Sequence, residues 1–167
     1  MTAAALAPIA PATGIRLEIA IAAIPGDERV WVPQAEGVWF RPLLFNTVSG
    51  GWCNLLRVRR SGVLSRHRHP MLVVGYVIKG RWKYLEHDWT AEAGSFVFEP
   101  PGEVHTLTVP ADCAEMITFF NIGGAMIYVD DDGRQTGYED VFTKIAMCRA
   151  HYRDVGLGDA YVDTFIR

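Results

Sequence analysis

The chain has 167 residues, 16 basic against 19 acidic side chains, a formal charge of -3 and a composition that is 50% hydrophobic, which suits one folded domain with a sizeable core. This argues against a disordered or fibrous chain, and the near-neutral balance without a Lys/Arg stripe argues against a nucleic-acid partner. No run approaches the roughly 18 to 20 apolar residues of a membrane span, and the opening MTAAALAPIAPATG lacks the basic and continuous apolar regions of a secretion signal. No membrane partner and a cytoplasmic location are therefore expected. Cys53, Cys113 and Cys148 are odd in number, far apart and free of CxxC spacing, so they read as small buried hydrophobes.

Residues 1–25 are rich in Ala and Pro and read as an N-terminal arm, either loose or packed on a partner. Short β-branched and aromatic runs follow at 38–45, 52–59, 73–80, 81–86, 95–99, 105–109, 115–122 and 125–130. Gly80, the EHD corner at 86–88, Gly94, the PPG at 100–102, the PAD at 110–112, Gly123-Gly124 and the DDDG at 130–133 separate them. Strands at this spacing with no helix between them predict an all-β jelly roll or barrel over 26–135. From Tyr138 the period changes. Val141, Ile145, Cys148 and Tyr152 recur at helical steps, Glu139 and Asp140 favour a helix start and Gly156 a stop, so 136–167 reads as a helix and tail closing the barrel. The tail DAYVDTFIR fits either a last strand or an arm.

Chemistry is concentrated in the histidines. His67 and His69, in SRHRHP, project from the same face of a strand. His105 follows a strand and the rigid PPG turn, which can fix an imidazole facing the barrel interior. Three buried imidazoles without partners are costly, whereas one divalent metal satisfies all three and leaves positions open for substrate and dioxygen. Glu99, immediately before the PPG turn, is a candidate proton acceptor or a carboxylate beside the ligands; the alternative is a solvated residue at the barrel rim. His87 in a turn and His151 on the helix read as surface residues. Trp52, Trp82, Tyr76, Tyr84, Phe96 and Phe98 could line a pocket for a phenyl ring, although most such residues in a barrel are plain core. Arg57 is either an anion-recognising residue inside the barrel or, more commonly for such a position, an ion pair on its outer face.

These residues resemble the cupins. The first cupin motif, Gly, HxH, Glu, Gly, is matched by Gly62, His67, His69 and Gly80, with Val73 where the glutamate is expected. The second is matched by Gly94, Pro100, Gly102 and His105, with Val109 in place of its asparagine. The resemblance implies a double-stranded β-helix with metal ligands His67, His69 and His105, and pairing of two barrels into a homodimer; a tetramer is left open. With Val73 in place of a carboxylate, three neutral imidazoles would leave the metal most of its charge for an anionic chelating ligand. Ligand type alone admits iron, zinc, copper or nickel.

Over most of the chain, stretches such as DERVWVPQAEGVWFRPLLF and GSFVFEPPGEVHTL are similar to the 2,4'-dihydroxyacetophenone dioxygenases. That resemblance implies a non-haem Fe(2+) enzyme taking a small aromatic hydroxyketone and O2 to 4-hydroxybenzoate and formate. The alternatives are another cupin dioxygenase, a metal-assisted isomerase or hydrolase, or a non-catalytic cupin, either a zinc-holding sensor domain or a small-molecule binding module.

Overall fold

The computed structural model describes residues 18–24 and 26–167. A 3-10 turn at Glu28–Val30 leads into β1 (Val32–Ala35), β2 (Val38–Asn46), β3 (Gly51–Val58), β4 (Gly62–Arg68), β5 (Val73–Lys79) and β6 (Arg81–Tyr84). Then come β7 (Ala91–Glu92), β8 (Phe96–Glu99), β9 (Val104–Val109), β10 (Met116–Ile122), β11 (Met126–Val129), β12 (Gln135–Glu139), helix α1 (Val141–Asp154) and a final 3-10 helix, Asp159–Phe165. The strands form two six-stranded antiparallel sheets, β1-β2-β3-β10-β5-β8 and β12-β11-β4-β9-β6-β7. From β3 onward the chain passes repeatedly between them, and this alternation makes the all-β double-stranded β-helix expected from the sequence.

Period-two side-chain alternation builds the interior. On β5, Val73, Gly75 and Val77 point inward and are buried, while Tyr76 and Ile78 are exposed on the outer face. Gly75 leaves room for the Phe120 ring, since a Cβ there would stand 3.0 Å from its edge. At Gly80 the chain turns with φ of 73°, and a Cβ would meet the Glu115 carbonyl oxygen at 2.3 Å, so only glycine closes that corner. Trp82 on β6 donates to Thr118 Oγ1 of β10 at 3.0 Å, which satisfies its indole inside the barrel and ties the two sheets together.

All eight expected strand regions are strands. The weakly patterned β1, with Pro33 inside it, the two-residue β7 and the polar edge strand β12 carry too little apolar alternation to announce themselves. Because Gln135–Glu139 pairs with β11, Tyr138 and Glu139 are strand rather than helix start. The helix begins at Val141, capped by Asp140, whose carboxylate accepts from Thr143 N at 2.8 Å while Asp140 N donates to Thr143 Oγ1 at 2.7 Å. Its buried side is Val141, Lys144, Cys148 and Tyr152, so a lysine takes the place in the core that the period assigned to Ile145, which is only partly buried. The tail is a 3-10 helix, and Ile166 then forms a single parallel bridge with Phe45.

The expected arm, 1–25, lies mostly outside the described residues. Within 18–24, the carbonyls of Ala22 and Ala23 accept from the buried Arg41 guanidinium at 3.0 and 3.4 Å. Arg57 takes the ion-pair alternative on the outer face, where its guanidinium is 4.2 Å from the Trp31 ring centre, 5.0 Å from that of Trp39, and doubly bonded to Glu28. Tyr76, Phe96 and Phe98 are exposed on the outer face of β5 and β8, because their strand parity places them there.

Candidate metal centre

Register brings the first two histidines together. β4 and β9 pair antiparallel with His67 directly opposite His105, and the ring centres are 4.7 Å apart. His69 lies just beyond the end of β4, with its ring 4.9 Å from His67 and 5.8 Å from His105. Its backbone is held by the PPG turn, as Gly102 N donates to His69 O at 2.8 Å. All three side chains are buried, and their candidate ligand atoms lie within 4.8 Å of one another.

Hydrogen bonds decide which nitrogens are free. His69 Nδ1 lies 3.1 Å from Ala125 O; a carbonyl can only accept, so Nδ1 carries the proton and Nε2 keeps its lone pair. His67 Nδ1 is 3.1 Å from Ser65 Oγ. His105 stacks on Tyr84 at 3.9 Å with planes only 7° apart, and neither of its ring nitrogens has a hydrogen-bond partner among the described residues.

Glu99 is not at the rim. It is 3% exposed, its Oε1 accepts from the Tyr84 hydroxyl at 2.7 Å, and its Oε2 has no hydrogen-bond partner. That free oxygen stands 3.7 Å from His69 Nε2 and 3.5 Å from His105 Nε2. Val73, where the cupin motif carries its glutamate, and Glu99 are register partners across β5 and β8, so the neighbouring strand places a carboxylate beside the imidazoles. The three imidazoles form the candidate ligand set, as the motif suggested, and the Glu99 carboxylate stands beside them rather than among them.

The electrostatics agree with a site built for a cation. Burial lowers the pKa of His69 and of His105 to about 4 and holds that of His67 well below its ordinary value, with the neighbouring imidazoles adding to the effect at His67 and His105. Burial pushes Glu99 up to about 7 against the opposing Tyr84 hydrogen bond. Neutral imidazoles with free nitrogens and an unpartnered carboxylate oxygen suit a divalent transition metal. A consequence concerns the metal-stripped protein. Histidines with folded pKa near 4 and an ordinary value of 6.5 take up protons on unfolding, so stability falls as pH drops from 6.5 towards 4. Glu99 acts oppositely between 4.5 and about 7, but one group is outweighed by three. Thermal melts of stripped protein should show Tm falling steeply from pH 7 to pH 5, and a flat profile would contradict this burial of neutral imidazoles.

Beside the histidines lies a cavity of about 390 Å³. Trp52, Leu56, Phe120 and Ile122 contribute apolar walls, and Tyr84 also lines it. Gln34, Tyr128, Glu139 and Lys144 contribute polar lining. The sequence reading missed these four, although a lysine in the apolar stripe of the helix was a legible signal. His87 and His151 stay apart from the site: His87 pairs with Glu103 at 3.0 Å, and His151 Nε2 meets Arg29 O at 2.9 Å.

The ChrR cupin-like domain family matches residues 21–126, more than half of the sequence. The chain belongs to that family. An RmlC-like cupin protein from Ralstonia eutropha JMP134 is 28% identical, with a TM-score of 0.74 over 83% of this cupin and 90% of that chain. An acetylacetone dioxygenase from Acinetobacter johnsonii shares the fold at 18% identity, with a TM-score of 0.67 over 79% of this cupin and 93% of that chain. No curated protein matches this cupin significantly. Among the described residues, no helix is long and apolar enough to cross a membrane.

Proposed function

We propose that this cupin is a cytoplasmic non-haem iron dioxygenase that cleaves the carbon-carbon bond of an aromatic α-hydroxyketone, with 2,4'-dihydroxyacetophenone as the reference substrate. The observation that carries the reading is the Glu99 Oε2, without a hydrogen-bond partner among the described residues, beside the neutral imidazoles of His69 and His105 in the wall of the cavity. A non-catalytic metal clamp needs neither an idle buried carboxylate oxygen nor that space. The fold shared with an acetylacetone dioxygenase supports the reading at the level of architecture.

In this reading His67, His69 and His105 hold the metal. Bound Fe(2+) supplies positive charge that draws in a chelating ketone and hydroxyl, together with redox chemistry towards dioxygen. Glu99 Oε2 accepts the proton the substrate loses, and its raised pKa suits a base working near neutral pH. Tyr84 holds the other carboxylate oxygen and packs flat on His105, so one residue positions both the base and a ligand. The apolar walls keep bulk water away. The reaction balances as ArCOCH2OH + O2 giving ArCOOH + HCOOH: the bond between the carbonyl and hydroxymethyl carbons breaks, the O–O bond breaks, and each acid gains one oxygen atom. The two carbons lose four electrons, which dioxygen takes up.

Anaerobically iron-reconstituted protein should consume oxygen when given 2,4'-dihydroxyacetophenone and release 4-hydroxybenzoate and formate in equal amounts. Membership of the ChrR-type family favours a second reading, a zinc-holding domain that senses or binds without catalysis; no uptake with tightly held zinc would support it. The exposed Tyr76, Ile78, Phe96 and Phe98 are the proposed contact of a homodimer, and sedimentation of the purified protein tests it.

A further inference from the structure

The polar lining of the cavity is a connected group. Lys144, 2% exposed, lies 2.6 Å from Glu139 Oε2, donates to Gln34 Oε1 at 3.0 Å and sits 4.3 Å from the centre of the Phe40 ring. Gln34 Nε2 donates to Glu139 Oε2 at 3.2 Å and to the Tyr128 hydroxyl at 3.3 Å. Tyr128 in turn stands opposite His67 in the ladder between β11 and β4, with ring centres 6.5 Å apart. One tyrosine thus links this group to the histidines. Asn54, buried and also facing the cavity, makes no side-chain hydrogen bond with any described residue.

A lysine–glutamate pair from α1 and β12 would by itself be a staple holding the helix to the barrel. Its opening onto the cavity, with an amide and a phenol joined to it, gives it a second use. We propose that Gln34, Tyr128, Glu139 and Lys144 form the specificity determinant of the site and select a ligand whose apolar ring carries a neutral hydroxyl. The charges decide the class. Lys144 is already matched by Glu139, so an incoming carboxylate would find its attraction cancelled and a like charge beside it in a dry site. A hydroxyl instead both donates to Glu139 and accepts from the uncommitted proton of Lys144. An unsubstituted ring would leave the spare Glu139 lone pair and the uncommitted Lys144 proton without a partner, and sites of that kind discriminate against the analogue lacking the group.

The inference rests on the proposed reading for the ring and the ketone, but its test does not need turnover. Zinc-loaded protein is titrated with 4'-hydroxyacetophenone, acetophenone and 4-acetylbenzoate, binding being followed by calorimetry. Wild type should bind the hydroxylated ketone at least about tenfold tighter than either of the others. Tyr128→Phe, which keeps the ring, and Gln34→Leu should shrink that preference to under about threefold while retaining bound zinc. Equal binding of acetophenone or 4-acetylbenzoate, absence of binding by all three, or a preference untouched in Tyr128→Phe would overturn the proposal. A Tyr128-dependent preference without oxygen uptake by the iron form would uphold it and remove the dioxygenase reading; oxygen uptake without the preference would do the reverse.

Discussion

Replacing His105 by alanine should abolish metal loading and oxygen consumption together. The substitution removes one of three ligands and the ring that stacks on Tyr84, so the remaining imidazoles lose both a partner donor and the packing that holds Tyr84 against Glu99. It also removes two buried nitrogens without hydrogen-bond partners, which offsets part of the packing loss. The stripped variant should therefore stay folded, within about 2 kcal/mol of the stripped wild type. Metal analysis falling from about one ion per chain to under about a tenth, with a cooperative melt retained, is the expected pair of results. A His105→Ala protein that keeps stoichiometric metal and full turnover would remove the site from consideration.

Glu99→Gln should push stability and activity in opposite directions. The amide keeps an oxygen to accept from Tyr84 and turns an NH2 towards the free nitrogens of His69 and His105, which the carboxylate oxygen cannot satisfy. In stripped protein this replaces a buried charge with a satisfied neutral group. The pH window follows from the raised pKa of Glu99: its protonated form favours the fold fully below 4.5, and that contribution is lost as pH rises through about 7. The gain of the glutamine variant should hence appear above pH 7, at about 1–3 kcal/mol, and vanish near pH 4. Turnover of the iron form should fall roughly 10²–10⁴-fold through loss of the proton acceptor. Denaturant titrations at pH 8 and pH 4 beside a steady-state assay provide the check; unchanged turnover would leave Glu99 without a role in the chemistry.

Much of this centre was legible in the residues. His67, His69 and His105 stand out because a strand puts alternate residues on one face, and because glycine and proline at Gly80, Gly94, Pro100 and Gly102 fix the corners between strands. What the pattern could not convey was lateral neighbourhood. Glu99 could be read either as a carboxylate beside the ligands or as a solvated rim residue, and only pairing of β8 with β5, which brings it beside Val73, separates the two. The polar group of the cavity lining is harder still, since Gln34, Tyr128, Glu139 and Lys144 come from four elements, two of them strands too short or too polar to be recognised. Lys144 was hidden by a period argument that counted apolar residues and passed over the charged one between Val141 and Cys148. Aromatic residues misled for the reverse reason: Phe96 and Phe98 look like pocket lining by type, while their parity sends them outward.

His67 and His105 occupy a single rung of the β4–β9 ladder although the chain travels through the other sheet between them. A slip of that ladder by one residue would turn one imidazole outward and put Thr106 or Val104 in its place. Ion uptake during refolding thus doubles as a register gauge: the fraction of chains that capture a divalent ion reports the fraction whose sheets have closed in the native alignment, before any substrate is added.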